Sequence, residues 1–248
     1  MIDSHIHLDQ YENIDQQIDL WQHAGITGVV AVSTDLASSY KTLDLKQRYP
    51  TFIKAAIGFH PERSLPSEQD LLEWQGLVSK ERKLLSAIGE VGLPYYTSVN
   101  SIDPYIELLD EGMTTARQEE LPLALHAVHN QAEIVYNILK KQSIKKAHFH
   151  WLKAPSETLN NIVNEGYLVS VTPEVCYRER DQLLAKKVPI GQLLLETDGP
   201  WPFNGPFENS DTSPLLLKDI AETISKIKVL PIERIIEITE NNTNEFYK

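Results

Sequence analysis

The chain has 248 residues, enough for a large buried core and within the range over which α/β barrels form one domain. Its 23 basic and 35 acidic residues give a net charge of −12. That balance argues against coating long duplexes through many phosphate contacts, while leaving room for a phosphodiester gripped at one site by bound cations. Cys176 is the only cysteine, so an intramolecular disulfide and a thiolate metal cluster are excluded; the plain expectation for it is a small packed residue.

Short apolar runs of β character alternate with amphipathic stretches of helical length. The chain opens on MIDSHIHL (1–8), whose Asp3, His5 and His7, with Asp9 just after, are incompatible with a signal-peptide core. The helix candidate NIDQQIDLWQHA follows, with Ile14, Ile18 and Trp21 on one face. Strand-like runs ITGVVAVS (26–33) and FIKAAIGF (52–59) precede the helix candidate DLLEWQGLVSKE. Next come LLSAIGEVGL (84–93), LPLALHAV (121–128), the helical QAEIVYNILKK and KKAHFHWL (145–152). SETLNNIVNE, GYLVSVTPEV (166–175), ERDQLLAKK and GQLLLETDGP (191–200) continue the alternation. Residues 212–248 read as one or two further helices, with Asp211 or Thr212 capping the first and Pro214 in its opening turn.

Eight strand–helix units imply parallel strands with crossover helices, in a (β/α)8 TIM barrel or a doubly wound sheet. The count of eight and the placement of the polar residues favour the barrel, one domain over 1–248. No apolar run approaches the ~18 residues that span a bilayer, so the expectation is a cytoplasmic enzyme without a membrane partner.

His5 and His7 alternate along the first strand and share a face. Two neutral imidazoles side by side suit a first-row divalent cation. Glu90, His126, His150 and Asp198 come late in the fourth, fifth, sixth and eighth runs. The carboxyl ends of barrel strands converge on one face, and polar groups ending such apolar strands need a compensating partner. Ligation of one or two divalent ions (zinc, manganese or magnesium) compensates all six. A barrel that binds metal without turnover is the non-enzymatic reading, and the complete set of six counts against it.

MIDSHIHLDQ, AAIGFHPE, AIGEVGLPYY, LPLALHAVHN, AHFHWL and LLLETDGP, in this order, resemble the successive motifs of the TatD family of metal-dependent deoxyribonucleases, and NNTNEFY resembles its ending. The resemblance implies a hydrolase in which His5 and His7 are the first-strand metal pair and Glu90 bridges two metals. It implies further that His126 and His150 hold the second metal, and that Asp198 ligates the first and handles the attacking water. His60, in GFHPE, corresponds to a histidine near the substrate phosphate. His150 rather than His148 matches the strand-six ligand, leaving His148 one layer deeper as a hydrogen-bonded core residue. His129 is a loop residue beside the site or in solvent, and His23 is structural. The implied substrates are single-stranded DNA ends or short nucleotides.

Three positions depart from that pattern. Pro94 replaces an acidic residue in GEVGLP, Val128 replaces a basic residue in HAVHN, and Trp151 adds bulk after His150. Loss of a guanidinium beside the metals removes a bidentate phosphate clamp. The alternative substrate is therefore an ester, amide or lactone, aminoacyl esters included. Lys153, Arg63, Arg178 and Arg180 read as solvated surface residues that could supply charge from the same face. Trp201 and Phe203 could wall a flat group, or simply pack.

Overall fold

A computed structural model describes residues 1–248. Eight strands form one parallel sheet in sequential order: β1 (Ile2–Ile6), β2 (Gly28–Val32), β3 (Ile53–Ile57), β4 (Leu85–Gly92), β5 (Leu123–His126), β6 (Ala147–His150), β7 (Leu168–Val171) and β8 (Leu193–Leu195). The ring closes between β1 and the chain just past β8. Ile6 bridges Gly199 in parallel, and the His7 N–H donates to the Gly199 carbonyl at 2.8 Å. Sequential order with helical crossovers is the barrel expected from the strand count.

Nine α-helices accompany the strands: α1 (Ile14–His23), α2 (Leu36–Arg48), α3 (Glu68–Lys80), α4 (Asp103–Gln118), α5 (Gln131–Lys141), α6 (Ser156–Asn164), α7 (Glu179–Lys187), α8 (Leu217–Lys228) and α9 (Ile232–Phe246). The bounds of α5 and α7 coincide with the sequence reading, because their apolar faces repeat with helical period. Helix α2 gives a weaker pattern, since it buries Ser38, Ser39 and Thr42 beside Leu43 and Leu45. Its start is fixed instead by a capping box, in which the Asp35 side chain accepts from Ser38 N–H and the Ser38 hydroxyl serves the Asp35 backbone. No helix is long and apolar enough to cross a membrane.

Asp211 and Thr212 do not cap the first C-terminal helix. Pro214 opens a short 3-10 turn, Pro214–Leu216, that leads into α8. The Thr212 hydroxyl is committed elsewhere, donating to the Trp201 carbonyl at 2.6 Å.

Most of the core lies between strands and helices, built around Ile6, Trp21, Trp74, Ile88, Phe149 and Ile220. A smaller cluster joins Val30, Val32, Ala56, Ala87, Ala124 and Leu194 with Tyr247, the last aromatic of the chain. Strand register aligns the polar ends. Gly92 pairs with His126, and His126 pairs with His150, so two imidazoles from neighbouring strands stand at the same level.

Candidate metal centre

Glu90, in β4, has no exposed surface. Its Oε2 lies 3.0 Å from His5 Nε2 and 3.6 Å from His7 Nε2. Its Oε1 lies 2.8 Å from His150 Nε2, 3.0 Å from His126 Nδ1 and 3.2 Å from His60 Nε2. Five imidazoles from three strand ends and one loop thus surround one carboxylate. Asp198 completes the far side, its Oδ1 3.3 Å from His7 Nε2 and 3.6 Å from His5 Nε2. Asp198 stands three residues beyond β8 at φ 50°, a left-handed conformation that aspartate tolerates better than β-branched residues. Its N–H donates to the His5 carbonyl at 3.0 Å, locking that turn onto β1.

The donor set suits divalent ions. His5 with Glu90 and His150, and His5 with His7 and Asp198, form groups whose ligating atoms lie within 4.8 Å of one another. Asp198 Oδ1, His126 Nε2 and the Nδ1 atoms of His5, His7 and His150 are buried without a hydrogen-bond partner, so the cluster is incompletely satisfied by protein alone. His60 forms a third group with Glu90 and His126, but its tautomer argues against ligation. Its Nδ1 accepts the Glu62 N–H at 3.1 Å; the ring proton therefore resides on Nε2, which donates toward Glu90 and has no lone pair for a metal.

The electrostatics follow from burial and this one carboxylate. Burial opposes the charged form of Glu90, but the imidazoles of His60, His150 and His5 outweigh it and hold its carboxyl well below the usual range. For His150, burial is outweighed by Glu90 and Glu196, and the ring is pushed well above its ordinary value. His7 and His126 are also raised against burial, by Asp198 and by Glu62 with Glu90 respectively. Burial lowers His5 and His60.

The family model described as TatD related DNase matches residues 2–248. The chain belongs to this family. A Haemophilus influenzae protein named an uncharacterized metal-dependent hydrolase is 38% identical over 257 residues, covering 100% of this chain and 99% of its own length. The human protein named deoxyribonuclease TATDN3 is 26% identical over 261 residues, covering 100% of this chain and 94% of its own length. The solved structure of YjjV, a TatD homologue from Escherichia coli K12, aligns with a TM-score of 0.91 at 23% identity. That alignment covers 100% of this chain and 97% of YjjV, and speaks to the fold.

Around the TatD-family cluster lies a set of carboxylates that sequence reasoning did not single out. Glu62 accepts the N–H groups of Tyr95, Tyr96 and Thr97 at 2.7–2.9 Å and lies 3.3 Å from His126 Nε2. Glu196 accepts the Trp151 N–H at 2.7 Å and the Ser170 hydroxyl at 2.6 Å, and lies 3.5 Å from His150 Nδ1. Asp3, fully buried, accepts the N–H groups of His5 and Thr197, and burial raises its carboxyl to about 8. Glu196 had a readable signal, alternation with Asp198 in LLLETDGP; Glu62 sits inside GFHPE, where His60 drew the reading.

His148 lies one layer deeper, as the sequence implies. The Tyr247 hydroxyl donates to its Nδ1 at 2.6 Å, and its Nε2 faces the Ser170 hydroxyl at 2.7 Å. Ser170 in turn donates to Glu196, so one hydrogen-bonded chain runs from Tyr247 to the carboxylate beside His150. Burial keeps His148 neutral, as this relay requires. His129 is half-buried, its ring 4.4 Å from Tyr95, and His23 is exposed on α1 beside Asp19.

A cavity of about 820 Å³ opens over the cluster, its wall including His60, Val128, Trp151, Lys153, Asp198 and Trp201. Lys153 is not a solvated surface residue: it is 8% exposed, with its ammonium 3.7 Å from the Trp151 ring centroid. Arg63, Arg178 and Arg180 are exposed, the last two paired with Glu174. Phe203 is buried against Trp151, while Trp201 is 59% exposed at the cavity mouth. Pro94 is buried and its carbonyl accepts from Gln131.

Proposed function

We propose that this TatD-family metal-dependent hydrolase cleaves phosphodiester bonds at single-stranded DNA ends or in short nucleotides. The observation that carries the reading is Glu90, whose two oxygens each face imidazoles from different strand ends. In this reading His5, His7 and Asp198 hold one divalent ion, His126 and His150 a second, and Glu90 is shared between them. When bound, such ions polarise the phosphoryl oxygens and acidify a water. The histidine-rich donor set favours zinc or manganese over magnesium.

The protein's own groups do the rest. Asp198 Oδ1, buried and without a donor, orients the attacking water and takes its proton. His60 lines the cavity wall, its ring held between the Glu62 N–H at Nδ1 and the Glu90 carboxylate at Nε2. Tyr96 and Trp201 line the same cavity and offer exposed faces on which a base stacks, worth ~1–3 kcal/mol per base. The cavity volume accommodates a nucleotide end, not a duplex.

Val128 supports a second reading. It is buried and lines the cavity where the family pattern has a basic residue, a surface suited to the acyl part of an ester or lactone. The discriminating experiment uses metal-stripped protein re-supplied separately with magnesium, manganese and zinc. Single-stranded DNA, a simple phosphodiester and a panel of esters and lactones are run in parallel. Metal-dependent cleavage of the phosphodiesters is the expected result; cleavage of the esters alone would replace the first reading with the second.

A further inference from the structure

We propose that Lys153 binds a second phosphate of the substrate, neighbouring the one attacked at the metal centre, so that the enzyme selects nucleotides bearing two phosphates. The inference rests on the phosphodiester reading and adds the group that distinguishes among such substrates.

Lys153 sits in the loop after β6, three residues beyond His150, and lines the cavity shared with His150 and Asp198. A lysine only 8% exposed is costly unless its ammonium has partners. It has few. Of its three N–H donors, one serves the Tyr96 hydroxyl at 3.0 Å. The nearest carboxylate oxygen, on Glu174, stands 4.0 Å away, beyond hydrogen-bonding reach.

Glu174 is itself occupied. It accepts Arg178 Nε at 2.6 Å, Arg180 at 2.7 Å and Trp151 Nε1 at 3.1 Å, so its charge is already spread over two guanidinium groups. Glu174 thus fixes the indole and faces the ammonium at 4.0 Å without hydrogen-bonding it. The Trp151 face, 3.7 Å from Nζ, favours the cation. Trp151 and Tyr96 together hold the long side chain in one place, which reduces the ordering cost of binding an anion. Burial lowers the lysine's proton affinity, an effect that an anion beside it reverses.

The surroundings make this charge matter. The chain carries a net charge of −12, and Val128 supplies no cation beside the metal ligands. Arg63, also on the cavity wall, is exposed, whereas Lys153 is buried and held by Tyr96 and Trp151. A nucleic acid end presents phosphates one nucleotide apart, so a substrate seated at the metal centre carries a second anion into the same cavity. A single ammonium with free donors binds such a phosphate as a point charge.

The test is calorimetric binding to zinc-loaded protein of thymidine 3′,5′-bisphosphate and of the thymidine 3′- and 5′-monophosphates. A charge-assisted contact made only by the second phosphate should give the bisphosphate roughly 10-fold or greater preference over either monophosphate. Lys153→Met, which keeps the stem over Trp151, should bring that ratio close to one, and Lys153→Arg should retain most of it. A wild-type ratio near one, or an undiminished ratio in Lys153→Met, overturns the proposal. Should Lys153→Met fold poorly, Lys153→Gln and the wild-type ratio decide the matter. Hydrolysis of bis(4-nitrophenyl) phosphate by the wild type tests the phosphodiester reading separately. Its absence beside a lysine-dependent bisphosphate preference would remove that reading and leave the anion site standing.

Discussion

Replacing Glu90 with Gln in the metal-free protein should destabilise the fold in a manner that depends on pH. The carboxylate lies 2.8–3.2 Å from His150, His5, His126 and His60 and has no exposed surface. At an effective dielectric constant of about 20, each fully charged contact at about 3 Å contributes about 5 kcal/mol of gross attraction, most of it offset by burial of the charges. Removing one partner of a buried pair typically costs about 3–5 kcal/mol, or about 6–20 °C in Tm for a domain of this size. That deficit needs protonated imidazoles. His7, His126 and His150 are raised above their ordinary value of 6.5, so their contribution is complete below 6.5 and is lost as pH rises through the folded values. Scanning calorimetry of chelator-treated wild type and Glu90→Gln at about pH 6 and about pH 9.5 should therefore show a large deficit at the lower pH and a smaller one at the higher. Equal deficits at both would mean that Glu90 acts through neutral hydrogen bonds and would refute the electrostatic account.

Three further outcomes follow from the contacts around this cluster. Zinc loading must displace protons from His7, His126 and His150, so affinity should rise with pH and binding should release protons; titration in buffers of different ionisation enthalpy measures this, and zero release would contradict the raised values. Glu196→Gln should weaken zinc binding by about 10–100-fold, because it alters the group beside His150 Nδ1. Tyr247→Phe, three links back along the relay from Glu196, should cost about 1–3 kcal/mol of stability by orphaning His148 Nδ1, with a smaller loss of zinc affinity. Chelator competition and thermal unfolding separate the two variants, and a larger zinc defect in Tyr247→Phe would reverse the order of the relay.

The barrel and the polar strand ends were legible because they break a local rule. His5, Glu90, His126 and His150 terminate or interrupt apolar strands, where an uncompensated polar group is costly. Asp198 was legible from LLLETDGP, although its position past β8, in a left-handed turn, was not. The strands proved shorter than their apolar runs because the terminal residues leave the backbone ladder, as Thr197 N–H does in bonding the Asp3 side chain rather than the β1 backbone. Glu196 shares that signature with Asp198 in LLLETDGP, whereas Glu62 carries none, since a carboxylate near a motif looks the same in sequence whether it faces water or an imidazole. Lys153 was misread for a related reason: its burial depends on Tyr96, supplied by the loop after β4, and that contact is tertiary. The supposed caps at Asp211 and Thr212 failed because a residue suited to capping will equally well bond a distant carbonyl, here that of Trp201.

The most direct test of the central claim is the rate of bis(4-nitrophenyl) phosphate hydrolysis by wild type and Asp198→Asn, each at measured metal content. Wild type should be active only when loaded, and the variant should lose about 10²–10⁴-fold in kcat at comparable metal occupancy, the range expected for a lost general base. Equal turnover by the loaded and stripped wild type, or undiminished turnover by Asp198→Asn, would contradict the assignment of this cluster as a hydrolytic metal centre.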